Sequence, residues 1–184
     1  MTTTTQNART TQTSRTAGAP AGTAADAYAP EAAPRLNWAE HAPQVYKAMV
    51  RLDGAARQDL DPKLHELVKI RASQINHCAF CLDMHTKDAL AAGESIERIV
   101  QLDAWEESRH FYTVKELAAL ELTEAVTVLT DGSVPDEVYA RAAAHFEEAE
   151  LAQLIAAITV INAWNRFAVT CRMTPGHYRP GQYA

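Results

Sequence analysis

From Trp38 onward the apolar residues recur three and four positions apart, and no segment alternates convincingly with period two. Val45, Met49 and Leu52 stand at helical spacing in 43–52. Asp61–Pro62 reads as a helix start, with Asp as the cap and Pro at the first helical position. Leu64, Leu67, Val68 and Ile75 then share a face. Asn76–His77 interrupts that helix and is placed to cap the next. Leu82, Ala89 and Leu90 mark the inward side of this second helix, and Gly93 ends it. Ser95 opens a short helix carrying Ile96, Ile99, Val100 and Leu102. Thr113 and Glu116 are spaced as a capping box, and the helix they start holds Leu117, Leu120, Ala125, Val128 and Leu129 before Asp131–Gly132 stops it. Pro135 opens another helix, with Asp136 and Glu137 well placed against its dipole. The last begins near Glu147 and runs through Leu151, Leu154, Ile155, Ile158, Ile161 and Asn162. The pattern predicts an all-α protein without a solenoid repeat.

Composition adds boundaries. Met1 to about Ala33 is rich in Thr, Ala and Pro and almost free of large apolar residues. Such a segment cannot bury enough surface to offset its ordering entropy, so residues 1–33 are expected to be a disordered tail and 34–184 a helical domain. The first twenty-five residues hold no apolar run of the secretory kind. The formal net charge of −6 offers no basic stripe for nucleic acid and no attraction to an anionic membrane. Leu151 to Val169 is apolar enough to suggest a membrane span. Its Gln153, Asn162, Asn165 and Arg166 argue instead for a helix buried in protein. Three cysteines are a poor disulfide framework, which points to a reducing, cytoplasmic setting.

In such a setting a C-x-x-C pair is read as redox or metal chemistry. Cys78 and Cys81 are i and i+3. On a helix their Cα atoms lie roughly 5–6 Å apart, within disulfide reach. The pair sits at a predicted helix start, where unpaired N–H groups and the dipole stabilise a thiolate, most strongly at Cys78. His85 is i+4 from Cys81 and shares its face. An imidazole there can take a thiol proton and return one to a leaving oxygen. Glu66 lies one helix earlier and reaches His85 only if the two helices form a hairpin.

Three other readings stay open on these residues. The thiols could be inert core groups, since free Cys is commonly buried. Cys78, Cys81 and His85 could hold zinc with a fourth ligand from Asp83, His77 or Cys171. The pair could also be a redox sensor that forms its disulfide without turnover. His77 is either a group that lowers the pKa of Cys78 or a turn residue. Trp105, Trp164 and Phe167 read as core aromatics, Asn162 and Asn165 as hydrogen-bonding groups within or between subunits, and Cys171 as a buried thiol. His41, His65, His110, His145 and His177 show no partner pattern.

Glu66, Cys78, Cys81 and His85 together resemble the AhpD-like alkylhydroperoxidase branch of the carboxymuconolactone decarboxylase family. The pattern is a Glu, twelve residues to a C-x-x-C, and a His four residues after the second Cys; every interval matches. The likeness extends from Leu64 through Asp83-Met-His-Thr-Lys and Ala92-Gly-Glu to Glu116-Leu-Ala-Ala-Leu and Ile161-Asn-Ala-Trp-Asn-Arg. The resemblance implies an all-helical domain built around a helical hairpin that carries the C-x-x-C, assembled as a homo-oligomer, commonly a trimer or hexamer. It implies hydroperoxide reduction with Cys81 as the peroxidatic thiolate, Cys78 as the resolving thiol, His85 as base and Glu66 in the proton relay. A dithiol, possible on a lipoyl-bearing partner, would supply electrons, and no metal, flavin or other cofactor is required. The wider family also includes decarboxylases, whose chemistry has no use for two cysteines. Phe80 stands where the best-known members carry a His, which puts the outer end of the relay and the donor in question.

Overall fold

The computed structural model describes Met1 and residues 28–182. The chain divides into Met1–Glu31 and a compact unit over Ala32–Ala184. Most of the tail expected over 1–33 lies outside the described residues. Among those described there are eight α-helices and no strand: α1 Trp38–His41, α2 Pro43–Ala56, α3 Pro62–Ile75, α4 Ala79–Ala91, α5 Ile96–Gln101, α6 Val114–Thr127, α7 Asp136–Ala143 and α8 Glu148–Cys171.

Local chemistry sets most of these boundaries. The Asp61 side chain accepts hydrogen bonds from the N–H groups of Lys63 and Leu64, and Pro62 occupies the first position of α3. Thr113 and Glu116 close a reciprocal capping box on α6. The Ser95 hydroxyl caps α5 through the Arg98 N–H. Past the end of α4, Gly93 adopts φ +81, a conformation that costs a residue without a Cβ little. One expected cap is different. Asn76 ends α3, His77 makes the turn at φ +53, and the cap of α4 is Cys78 itself. α6 also stops earlier than the Asp131–Gly132 signal, at Thr127, and a 3-10 turn over Leu129–Asp131 bridges to that glycine.

α3 is the central helix and is apolar on more than one side. Its Leu64 and Val68 pack with Ala119 and Leu122 of α6, Val138 and Ala142 of α7, and Leu154 and Ile158 of α8. Its Leu67 and Ile70 pack on the opposite side with Ala89, Ile99, Leu102, Trp105 and Leu120. Its C-terminal Ala72 joins Cys78, Cys81, Ile161 and Ala168 in a third cluster. Helical spacing alone did not identify every buried face. Val45 and Leu52 of α2, Leu90 of α4, and Ile96 and Val100 of α5 are exposed, because α2 and α5 lie at the edges and bury only a narrow stripe.

α8 is long and apolar enough to cross a membrane by length and composition, yet half of its most apolar window is buried within this chain. Its polar residues have partners inside the unit. Asn165 donates to the Ser73 hydroxyl, and Asn162 donates to the Thr127 hydroxyl and the Ile158 carbonyl. The Asn76 amide links both, donating to Asn162 Oδ1 and Asn165 Oδ1 at 2.9 Å each. These intrachain bonds meet the hydrogen-bonding expectation for Asn162 and Asn165, and Cys171 is buried.

Candidate active site

α3 and α4 pack side by side, connected by the turn at His77. This places Glu66, in the second turn of α3, against His85, in the second turn of α4. The His85 Nδ1 lies 2.9 Å from Glu66 Oε2. With Nδ1–H donating to the carboxylate, Nε2 is left as the basic atom of a neutral ring. His85 is buried, and Glu66 is mostly so. Burial opposes ionisation of Glu66. The hydrogen bonds from His65 and His85, and the positive charge of Lys69, outweigh it and hold the carboxyl well below the usual carboxylate range.

Cys78 and Cys81 are 1% and 2% exposed. The Cys81 N–H points at Cys78 Sγ, 3.4 Å away, which puts the first sulfur at the positive end of α4. The hydrogen bond from the Cys81 thiol lowers the Cys78 thiol below its ordinary value and outweighs burial; the Cys81 N–H and the Asn165 amide add to it. That same hydrogen bond and burial push the Cys81 thiol up. The helix end and these contacts favour the thiolate at Cys78 over Cys81. His77 is exposed and turned outward, which favours its reading as a turn residue.

A cavity of about 730 Å³ opens over Cys81, and its lining includes Glu66 and His85 but not Cys78. That volume is typical of small-molecule sites. Apolar side chains form much of the wall: Trp38, Tyr46, Phe80, Met84, Trp164 and Met173. Trp164 is thus a cavity-wall residue rather than a core aromatic. Phe167 stands behind it, stacked on Trp38 with ring centroids 3.9 Å apart. Trp105 is a core aromatic as expected, with its indole N–H donated to Glu124.

Three cavity residues escaped sequence reasoning. His65 is buried with Nδ1 3.7 Å from Glu66 Oε1, while its Nε2 has no hydrogen-bond partner. Burial, opposed by Glu66, lowers its pKa, so the ring is neutral. Asp88 lies i+3 from His85 and also lines the cavity. Tyr178, from the segment after α8, places its hydroxyl 2.8 and 2.9 Å from the two Asp88 oxygens. The i+3 spacing of Asp88 was readable along α4, and His65 adjoins Glu66 in the chain, whereas nothing local connects Tyr178 to the site.

Among the described residues, Glu66, His85 and Asp88 form the one group of three carboxylate, imidazole or thiol side chains that bring one ligating atom each to within 4.8 Å of one another. Neither cysteine belongs to it, so the zinc set of Cys78, Cys81 and His85 does not assemble. Glu66 is already bonded to His85, and Asp88 to Tyr178.

This arrangement has counterparts. The sequence profile of the carboxymuconolactone decarboxylase family matches residues 43–125, which contain the four spaced site residues. The uncharacterised protein YdfG of Bacillus subtilis is 43% identical over 136 residues, covering 73% of this chain and 92% of its own. A protein of unknown function from Agrobacterium tumefaciens, provisionally an antioxidant defence protein AhpD, superposes with a TM-score of 0.76 at 36% identity over 79% of this chain and 100% of that one. An uncharacterised peroxidase-related protein with an AhpD core from Ralstonia eutropha shares the fold at a TM-score of 0.66 and 18% identity, over 76% of this chain and 75% of its own. The chain therefore belongs to the carboxymuconolactone decarboxylase family and has the AhpD-like all-helical fold.

Proposed function

We propose that the protein is a thiol peroxidase that reduces hydroperoxides through a Cys78/Cys81 dithiol–disulfide cycle. The observation that carries this reading is the convergence of Cys81 and the Glu66–His85 pair on one apolar-walled cavity, with the second sulfur directly behind the first.

The two sulfurs divide the work by position. Cys81 faces the cavity and is the sulfur a hydroperoxide can reach. His85, fixed by Glu66, takes the Cys81 proton as the thiolate attacks the O–O bond. Sulfur gains an oxygen and becomes a sulfenic acid, and the leaving alkoxide takes the proton and departs as an alcohol. Cys78, with its lowered pKa, then attacks the Cys81 sulfenic acid as a thiolate. The disulfide forms and hydroxide leaves as water once protonated. An external dithiol, of which a lipoyl group on a partner protein is one form, reduces the pair by exchange. Assembly as a homo-oligomer belongs to the same proposal.

The test is single-turnover thiol counting on reduced, metal-free protein mixed with one equivalent of cumene hydroperoxide. Two of the three thiols should disappear, joined as Cys78–Cys81. In Cys78→Ser a sulfenic acid should persist on Cys81, and in Cys81→Ser no thiol should be lost rapidly. Survival of all three thiols in the unsubstituted protein would remove the peroxidase reading. Oxidation retained in Cys81→Ser would reverse the roles of the two sulfurs.

A further inference from the structure

The dithiol cycle proposed above releases two protons, one to the alcohol and one to water. One resides on the Cys81 thiol. The other belongs to Cys78, whose thiol sits at the positive end of α4 and gives up its proton more readily than Cys81. That proton needs a nearby holder until hydroxide leaves. Glu66 is a poor one, because its carboxylate is tied to His85 and faces Lys69.

We propose that Asp88, held by Tyr178, stores this second proton and delivers it through His85 to the oxygen that leaves as water. It is a positioning residue that acts through His85 and not on the hydroperoxide itself. The inference rests on the peroxidase reading.

Three observations support it. Asp88, His85 and Glu66 each bring one polar atom to within 4.8 Å of the others, a span that one water or a small rotamer change closes. The Tyr178 hydroxyl stands 2.8 and 2.9 Å from the two Asp88 oxygens. The phenol O–H donates to the Asp88 carboxyl and so fixes where that group stands beside His85. The phenol is also fastened in place. Lys87 Nζ donates to the Tyr178 carbonyl at 3.1 Å, and the Gly176 N–H donates to Asp83 at 2.9 Å, so α4 grips the segment on both sides of the ring.

The charged and titratable groups around Asp88 are Glu66, His65 and Lys69 from α3, His85 and Lys87 from α4, Tyr178 from the C-terminal segment, and Asp53 and Arg57 across the cavity on α2. Lys69 is taken up by Asp53 at 3.0 Å. Burial raises the Asp88 carboxyl above its ordinary value and the charge of Glu66 adds to it, outweighing the Tyr178 hydrogen bond, which lowers it.

Asp88→Asn keeps the shape and an acceptor for Tyr178 but cannot carry the proton. The experiment is stopped-flow oxidation of the full chain by cumene hydroperoxide from about pH 5 to about pH 9, with sulfenic acid trapped by dimedone. The unsubstituted protein should show disulfide formation slowing as pH rises through the Asp88 range. In Asp88→Asn that limb should vanish, with sulfenic-acid formation retained and disulfide formation slowed about 100-fold. Asp88→Glu should restore the limb. If Asp88→Asn keeps both the rate and the pH profile while the unsubstituted protein turns over, the inference is overturned and the peroxidase reading stands. If the unsubstituted protein loses no thiols, both fail.

Discussion

At the scale of single residues, the proposed peroxidase chemistry depends on the buried acid–base pair of Glu66 and His85. Glu66→Gln leaves a neutral acceptor beside His85 but removes the charge that supports a protonated imidazole. We expect peroxide-driven thiol loss in folded protein to slow by about 100-fold or more, and the unfolding midpoint near neutral pH to fall because the carboxylate's favourable contacts are lost, as read by stopped-flow oxidation and urea titration. His65 makes a separate prediction on stability. Burial depresses its folded-state pKa from the ordinary 6.5, so below that pH the unfolded chain binds a proton that the folded one refuses. Stability therefore falls as pH drops through that window. The lowered carboxyl of Glu66 has the same sign, but its effect begins only below its ordinary 4.5. Asp88, raised from 3.8, acts in the opposite sense in its own range. Urea unfolding should give a lower midpoint at about pH 5.5 than at about pH 7.5, and His65→Gln should shrink that difference. An unchanged difference in the variant would rule out His65 as its source.

At the scale of elements, the site depends on how α4 begins and on what grips its far side. Cys78 is the side-chain cap of α4 and, in the proposed cycle, the resolving thiol. Serine caps a helix well and alanine does not, so Cys78→Ala should cost about 1 kcal/mol of stability beyond that of Cys78→Ser. Comparing the two by urea titration separates the cap from the chemistry; equal stabilities would mean that the sulfur caps nothing. The residues around this start were legible in the chain, because C-x-x-C, its spacing to His85 and the Asp61–Pro62 start are local patterns. The identity of the cap was not. The chain offers Asn76, His77 and Cys78 in succession, and the direction of the turn, set by His77 at φ +53, decides which of them faces the open N–H groups. Nor did helical spacing reveal that Val45, Leu52 and Val100 stay exposed, since period alone cannot say which side of an edge helix meets a neighbour.

At the scale of the whole molecule, α3 and α8 hold the site by burying residues on several sides at once. Leu154 is fully buried on α8 among residues of α3, α6 and α7. Leu154→Ala should destabilise the fold by about 2–5 kcal/mol, measured by urea unfolding. At a temperature where the variant remains folded, the rate of Cys78–Cys81 oxidation should persist, because the substitution lies in a different core cluster from the sulfurs. Loss of oxidation in folded variant protein would tie the site to that distant packing.

The order of amino acids alone determined the helical class, most helix starts, and the four spaced residues Glu66, Cys78, Cys81 and His85. Each of those features rests on interactions within a few positions of chain, where helix geometry converts spacing into proximity. Only the tertiary structure decided that Glu66 meets His85, that Cys81 rather than Cys78 faces the cavity, and that Trp164 helps to wall it. It likewise brought Tyr178 to Asp88 across 90 positions of sequence. The reason is physical: such contacts depend on how packed helices are turned toward one another, and that rotation is set by burial summed over the whole core rather than by any local run of residues.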